Sequence, residues 1–177
     1  MVKGVLRADD AEACLAHGAA GVVVSNHGGR QLDQAVPTAW ALPGVAATVR
    51  GARAARTDRA ALTDRAVLAD HAAPVTGAVS VDGGVRSAED ALAALALGAQ
   101  CVFLGRPVLW ALACGGADGV QALLDGLTND LAHVMALAGA ACLGDLAGLA
   151  DSAFPAGPAP KAAPSLPGAQ PRHNVEW

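Results

Sequence analysis

The sequence predicts an α/β fold of repeated strand–helix units around a parallel sheet. Three observations predict it. Two segments share one helical pattern, short apolar runs follow each of them, and glycines stand where helices should stop. The first segment, Arg7 to Ala19, reads R-A-D-D-A-E-A-C-L-A-H-G-A, and the second, Ser87 to Ala99, reads S-A-E-D-A-L-A-A-L-A-L-G-A. Uninterrupted apolar strands alternating with helices indicate a sheet buried on both faces, expected in a (β/α) barrel or an open doubly wound sheet.

Each helix opens on acidic residues, which the positive end of the helix dipole favours. Ser87 with Asp90 forms a capping-box pattern, and Asp9 with Glu12 is expected to act alike. Gly18 and Gly98 suit the left-handed position after a helix. The strands expected are Gly21–Ser25, Ala78–Asp82 and Cys101–Gly105, with a further strand represented by its end at Val2-Lys3. A helix is expected from about Thr38 to Val49. Residues 50–74, with Thr-Asp-Arg-Ala at 57–60 and again at 63–66, read as a solvated helical insertion at the face opposite the loops that follow the strands. Helices are then expected over Val108–Cys114, Ala117–Ala138 and Leu143–Leu149. Residues 1–150 make one domain, and 151–177, rich in Pro and Ala, make a flexible tail.

Composition excludes some classes of function. A formal net charge of −4 leaves no general basic field for nucleic acid. No apolar run reads as long enough to span a membrane. Cys14, Cys101, Cys114 and Cys142 form no C-x-x-C pair, which suits a reducing cytoplasm, and no spacing suggests a metal site.

Three stretches could carry chemistry. Ser25-Asn26-His27-Gly28-Gly29-Arg30-Gln31-Leu32-Asp33 follows a buried strand directly, where (β/α) barrels build active sites. His27 can take a proton near neutral pH, and Arg30 can grip a carboxylate with two parallel hydrogen bonds. Asp82-Gly83-Gly84-Val85-Arg86 joins a strand to a helix N-terminus, a geometry that offers backbone N–H groups to an anion. Gly105-Arg106-Pro107 does the same after the last strand, so Arg86 and Arg106 are placed for a phosphate. The other histidines (His17, His71, His133 and His173) read as structural, and Trp40, Phe103 and Trp110 as packing residues.

These motifs, in this order, resemble the FMN-dependent 2-hydroxy acid dehydrogenase and oxidase family, which includes glycolate oxidase, lactate oxidase and mandelate dehydrogenase. The resemblance rests on S-N-H-G-x-R-Q-L-D at 25–33, D-G-G-V-R at 82–86, A-L-A-L-G-A at 94–99, G-R-P at 105–107 and K-G-V at 3–5, and covers about Val2 to Leu149. It implies the C-terminal half of a TIM (β/α)8 barrel, from the end of strand five through strand eight and the helices after it. It implies FMN as cofactor and oxidation of a small (S)-2-hydroxy acid to the 2-oxo acid. Lys3 and Ser25 match flavin-contacting positions, His27 the catalytic base and Arg30 the carboxylate anchor. Asp82, Gly83, Gly84, Val85 and Arg86 match the segment that binds the ribityl chain and phosphate, which Gly105 and Arg106 complete. The family's substrate-facing tyrosines have no counterpart, since the sequence contains no Tyr. An inactive remnant or a half-barrel interaction module is the alternative, with self-association or pairing with an N-terminal half expected in either case.

Overall fold

A computed structural model describes residues 1–62 and 77–149. Four strands, β1 (Val2–Val5), β2 (Gly21–Val24), β3 (Ala78–Val81) and β4 (Cys101–Val102), alternate with α1 (Ala8–Ala16), α2 (Thr38–Leu62), α3 (Ala88–Ala96) and α4 (Arg106–Leu137). Two 310 turns, His27–Gly29 and Leu143–Gly148, complete the described elements.

The strands lie in the order β1-β2-β3-β4, every neighbouring pair parallel. A doubly wound sheet reverses its strand order at a switch point. Here the order never reverses, and α1 packs on α2 while α2 packs on β2 and β3. The sheet therefore steps in one direction with helices outside it, as a barrel wall does. Among the described residues β1 and β4 each have one neighbour, so both edges are unpaired.

One hydrophobic core lies between sheet and helices. Val22, Val24, Val79 and Val81 meet Leu15, Leu42, Val45 and Val49, all buried. The alternate strand positions face the other way. Lys3 pairs with Val23, Val23 with Ser80, and Ser80 with Cys101, forming one row across the sheet. Since side chains alternate along a strand, Ser25 and Asp82 fall two residues beyond that row on the same face. A second cluster joins Leu92 of α3 to Ala140 and Leu146, with Leu131, Val134 and Met135 of α4 packed against it.

Local chemistry sets the helix ends. Ser87 Oγ accepts from Asp90 N–H while Asp90 Oδ2 accepts from Ser87 N–H, the reciprocal capping box. At the other end Gly98, at φ +110°, donates to Leu95 O while Ala99 donates to Ala94 O. Gly18 and Ala19 repeat this closure on α1 through Leu15 O and Cys14 O, so the sequence repeat is a structural repeat.

Several expectations are corrected. The N-terminus of α1 has no side-chain cap, because Asp9 turns back to Arg7, whose Nε donates at 2.9 Å. The same carboxylate accepts from Asp10 N–H at 3.1 Å, so it serves the helix start from inside the first turn rather than as its cap. Helix α2 does not stop near Val49 but continues to Leu62, so the first part of the 50–74 insertion extends that helix. Residues 63–74 of the insertion and the 151–177 tail lie outside the described residues. Strand β1 is a full strand rather than a strand end, whereas β4 is only two residues long. Helix α4 runs from Arg106 to Leu137 through a kink at Gly116 (φ 59°, ψ −145°). By length and composition alone it would pass for a membrane-crossing helix, but the non-helical Gly116 divides it into two segments. One side of its second half packs on α3 and the Leu143–Gly148 turn.

Candidate functional site

The loops after β2, β3 and β4 leave the same rim of the sheet and line a shared cavity of about 210 Å3. Ten of the eleven residues singled out from the sequence line it: Lys3, His27, Arg30, Asp82, Gly83, Gly84, Val85, Arg86, Gly105 and Arg106. Ser25 does not. It is buried beneath the His27 loop at 2% exposure, accepting from Lys3 Nζ at 2.7 Å and from His27 N–H at 3.1 Å.

Lys3 is the hub of the floor. From β1 its ammonium spans β2 to reach Asp82 Oδ2 at 2.8 Å, at the end of β3. The other oxygen, Asp82 Oδ1, is buried with no hydrogen-bond partner. An ionised carboxylate oxygen without a donor costs free energy, so it suits a ligand hydroxyl.

The His27 loop is held in an uncommon conformation. His27 has φ +58°, the one non-glycine residue among those described in the left-handed region. Such backbone costs about 1 kcal/mol or more and persists where the surroundings fix it. Asn26 does much of the fixing, its Oδ1 accepting from Gly28 N–H at 3.0 Å. Arg106 reaches across from the loop after β4, Nη2 donating to Gly28 O at 3.3 Å. A Cβ on Gly28 would sit 3.0 Å from that nitrogen, so a larger residue would push the guanidinium back by some tenths of an ångström. The imidazole of His27 and the guanidinium of Arg30 are both exposed at the mouth.

The opposite wall is built for an anion. Gly83 (φ +88°) and Gly84 (φ +96°) give a turn with no side chain in the way, and an added Cβ on Gly84 or Gly105 would meet nothing. Gly105 precedes α4, whose first turn includes Arg106 and Pro107, so the N–H groups there have no side-chain cap. Pro107 has no N–H and the Val108 and Leu109 N–H groups donate to Gly105 O, so the positive charge on this wall comes mainly from the Arg86 and Arg106 guanidinium groups.

Sequence reasoning missed several residues here. Phe103 (45% exposed) and Trp110 (54% exposed) line the cavity with Leu109 instead of packing inward. Their aromatic surface gives the cavity an apolar side. Asn26 and Thr38 hold the loops without facing the cavity. Its place inside the S-N-H-G stretch was the available signal for Asn26, but nothing in the pattern marks Thr38. Among the described residues no cluster of His, Cys, Asp and Glu could hold a metal ion.

Residues 1–150 match the sequence profile of the family described as FMN-dependent dehydrogenase. The chain belongs to that family. Similar FMN-dependent dehydrogenase relatives include 2-hydroxyacid oxidase 2 of Rattus norvegicus, 44% identical over 139 residues, covering 78% of this chain and 33% of the relative. L-lactate oxidase of Nostoc sp. is 41% identical over 146 residues, covering 82% of this chain and 33% of that protein. Among solved structures, mandelate oxidase with benzoyl-formic acid aligns with a TM-score of 0.66 and 42% identity, over 81% of this chain and 36% of that one. The chain spans about a third of the length of the curated relatives it matches. The described sheet is thus part of the FMN-dependent dehydrogenase barrel.

Proposed function

We propose that this chain carries the acid–base and phosphate-binding part of an FMN-dependent oxidoreductase that converts a small (S)-2-hydroxy acid to the 2-oxo acid. One observation carries the reading: His27, Arg30 and Lys3 share a single cavity with the Asp82–Arg86 and Gly105–Arg106 loops. The residues suit FMN. Arg86 and Arg106, with the side-chain-free turn at Gly83 and Gly84, would hold its phosphate. Asp82 Oδ1 is an unused acceptor for a ribityl hydroxyl, and Lys3, steadied from below by the Ser25 hydroxyl, would contact the ring system. When bound, FMN supplies the two-electron acceptor that no side chain provides.

The chain's own groups do the rest. Arg30 would bind the substrate carboxylate through two N–H donors, fixing the hydroxyl-bearing carbon. A ring nitrogen of His27 would take the proton from the substrate hydroxyl. Loss of two electrons and two protons turns the 2-hydroxy acid into the 2-oxo acid. Phe103, Leu109 and Trp110 would give that end an apolar wall. The four cysteines form no disulfide, which suits a cytoplasmic setting.

Supplying FMN with glycolate, lactate or mandelate and measuring the 2-oxo acid formed tests this. The reading predicts product from at least one acid, lost in His27→Ala and in Arg30→Ala. No product from wild-type chain that has bound FMN would favour the second reading, an inactive remnant or interaction module. That reading draws on the two unpaired sheet edges. They invite pairing with further strands, from a second copy or an N-terminal half.

A further inference from the structure

We propose that Thr38 is a positioning residue that holds the Gly83–Arg86 loop in its anion-binding shape, and so ties that loop to the segment carrying His27. The consequence for FMN rests on the function proposed above; the geometry does not. Thr38 is the first residue of α2 and 5% exposed, and its Oγ1 donates to Gly83 O at 2.8 Å across 45 residues of sequence. Gly83 and Gly84 both have left-handed φ values and carry no side chain, so they cannot anchor themselves.

The loop is fixed at three points. At its start Asp82 N–H donates to Val24 O at 3.0 Å, and near its end Arg86 N–H donates to Asp90 Oδ2 at 2.9 Å. Those two holds come from the adjacent strand and from the helix that follows. The middle hold is Thr38. The Asn26 carboxamide closes the other side, its Oδ1 lying 2.8 Å from where a Gly83 Cβ would stand, and Thr38 Cγ2 lies 3.4 Å from that point. Gly83 is therefore clamped between the residue before His27 and the residue that starts α2. Losing the Thr38 hydroxyl leaves the Gly83 carbonyl without this donor and frees the turn to rotate its N–H groups.

Thr38→Val keeps the shape and removes the donor, whereas Thr38→Ser keeps the donor. Amide hydrogen exchange on the cofactor-free full chain should be several-fold faster over 83–86 in Thr38→Val, with β1 and α1 unchanged and Thr38→Ser like wild type. FMN affinity, read by quenching of flavin fluorescence, should fall about tenfold in Thr38→Val and stay within about twofold in Thr38→Ser. Unchanged exchange over 83–86, faster exchange throughout the chain, or a Thr38→Ser variant as loose as Thr38→Val would overturn the proposal. If wild type binds no FMN, the function fails while exchange still decides the role of Thr38. Should Thr38→Val not fold, Thr38→Ala gives the same exchange readout.

Discussion

Lys3 and Asp82 meet at 2.8 Å although a whole strand, β2, lies between the strands that carry them. The pair binds the first described strand to the third and sets the floor of the cavity. Its lysine is 45% exposed and its aspartate 17%, so solvent screens the attraction only in part. Lys3→Met should lower stability by about 1 kcal/mol, measured as a urea midpoint shift. The Lys3→Met/Asp82→Asn pair should lose less than the two single variants added together, because neither then leaves a charge behind.

Gly28 and Gly29 separate two effects that usually travel together. Both have positive φ, but a Cβ on Gly28 would meet Arg106 Nη2 at 3.0 Å, while one on Gly29 would meet nothing. Each alanine variant should cost about 1 kcal/mol from backbone strain. Only Gly28→Ala should also weaken FMN or inorganic phosphate binding, by displacing the guanidinium. Calorimetric titration of the two variants side by side checks the difference.

The left-handed backbone of His27 makes asparagine its mildest replacement, since Asn tolerates that region well. His27→Asn should melt within a degree or two of wild type. Formation of 2-oxo acid should nevertheless fall by about 10³-fold, the loss expected when a general base is removed.

Acid should loosen the ends of the helices before the core. The Arg7 guanidinium holds Asp9 down to about 2 from the ordinary 3.8. Hydrogen bonds from the Cys142 backbone hold Asp145 below its usual range, and the Ser87 hydroxyl does the same for Glu89. Carboxylates whose folded-state values are depressed stabilise the fold above their unfolded values and lose that contribution as pH falls. Melting temperature should therefore drop between pH 4 and pH 2, less steeply in Asp9→Asn. All three groups are fully exposed, so salt should weaken the effect.

Much of the fold is legible because local chemistry dictates it. The Ser87–Asp90 box and the glycines at 18 and 98 act within one turn of helix, and the valine runs of β2 and β3 need only burial. The failures have equally local causes. Asp9 had two partners open to it, the helix N-terminus and Arg7, and spacing does not rank them. Beyond Val49 the Ala- and Arg-rich residues are themselves good helix formers, and they carry α2 on past the expected stop and through Gly51. At the site, most of the residues singled out lie directly after strands, with Lys3 on β1 as the exception, and topology gathers them at one rim. Thr38 and Phe103 were not legible in that way. The partner of Thr38 is 45 residues away, and the wall beside Phe103 ends with β4, leaving its ring exposed.

Three loops at one rim would grip the phosphate end of a flavin. Titrating the full chain into FMN and following flavin fluorescence tests it most directly. The account predicts saturable one-to-one quenching, weakened at least tenfold in Arg86→Gln/Arg106→Gln because two charge-assisted contacts are lost. Quenching that is absent, or equal in wild type and the double variant, would contradict it.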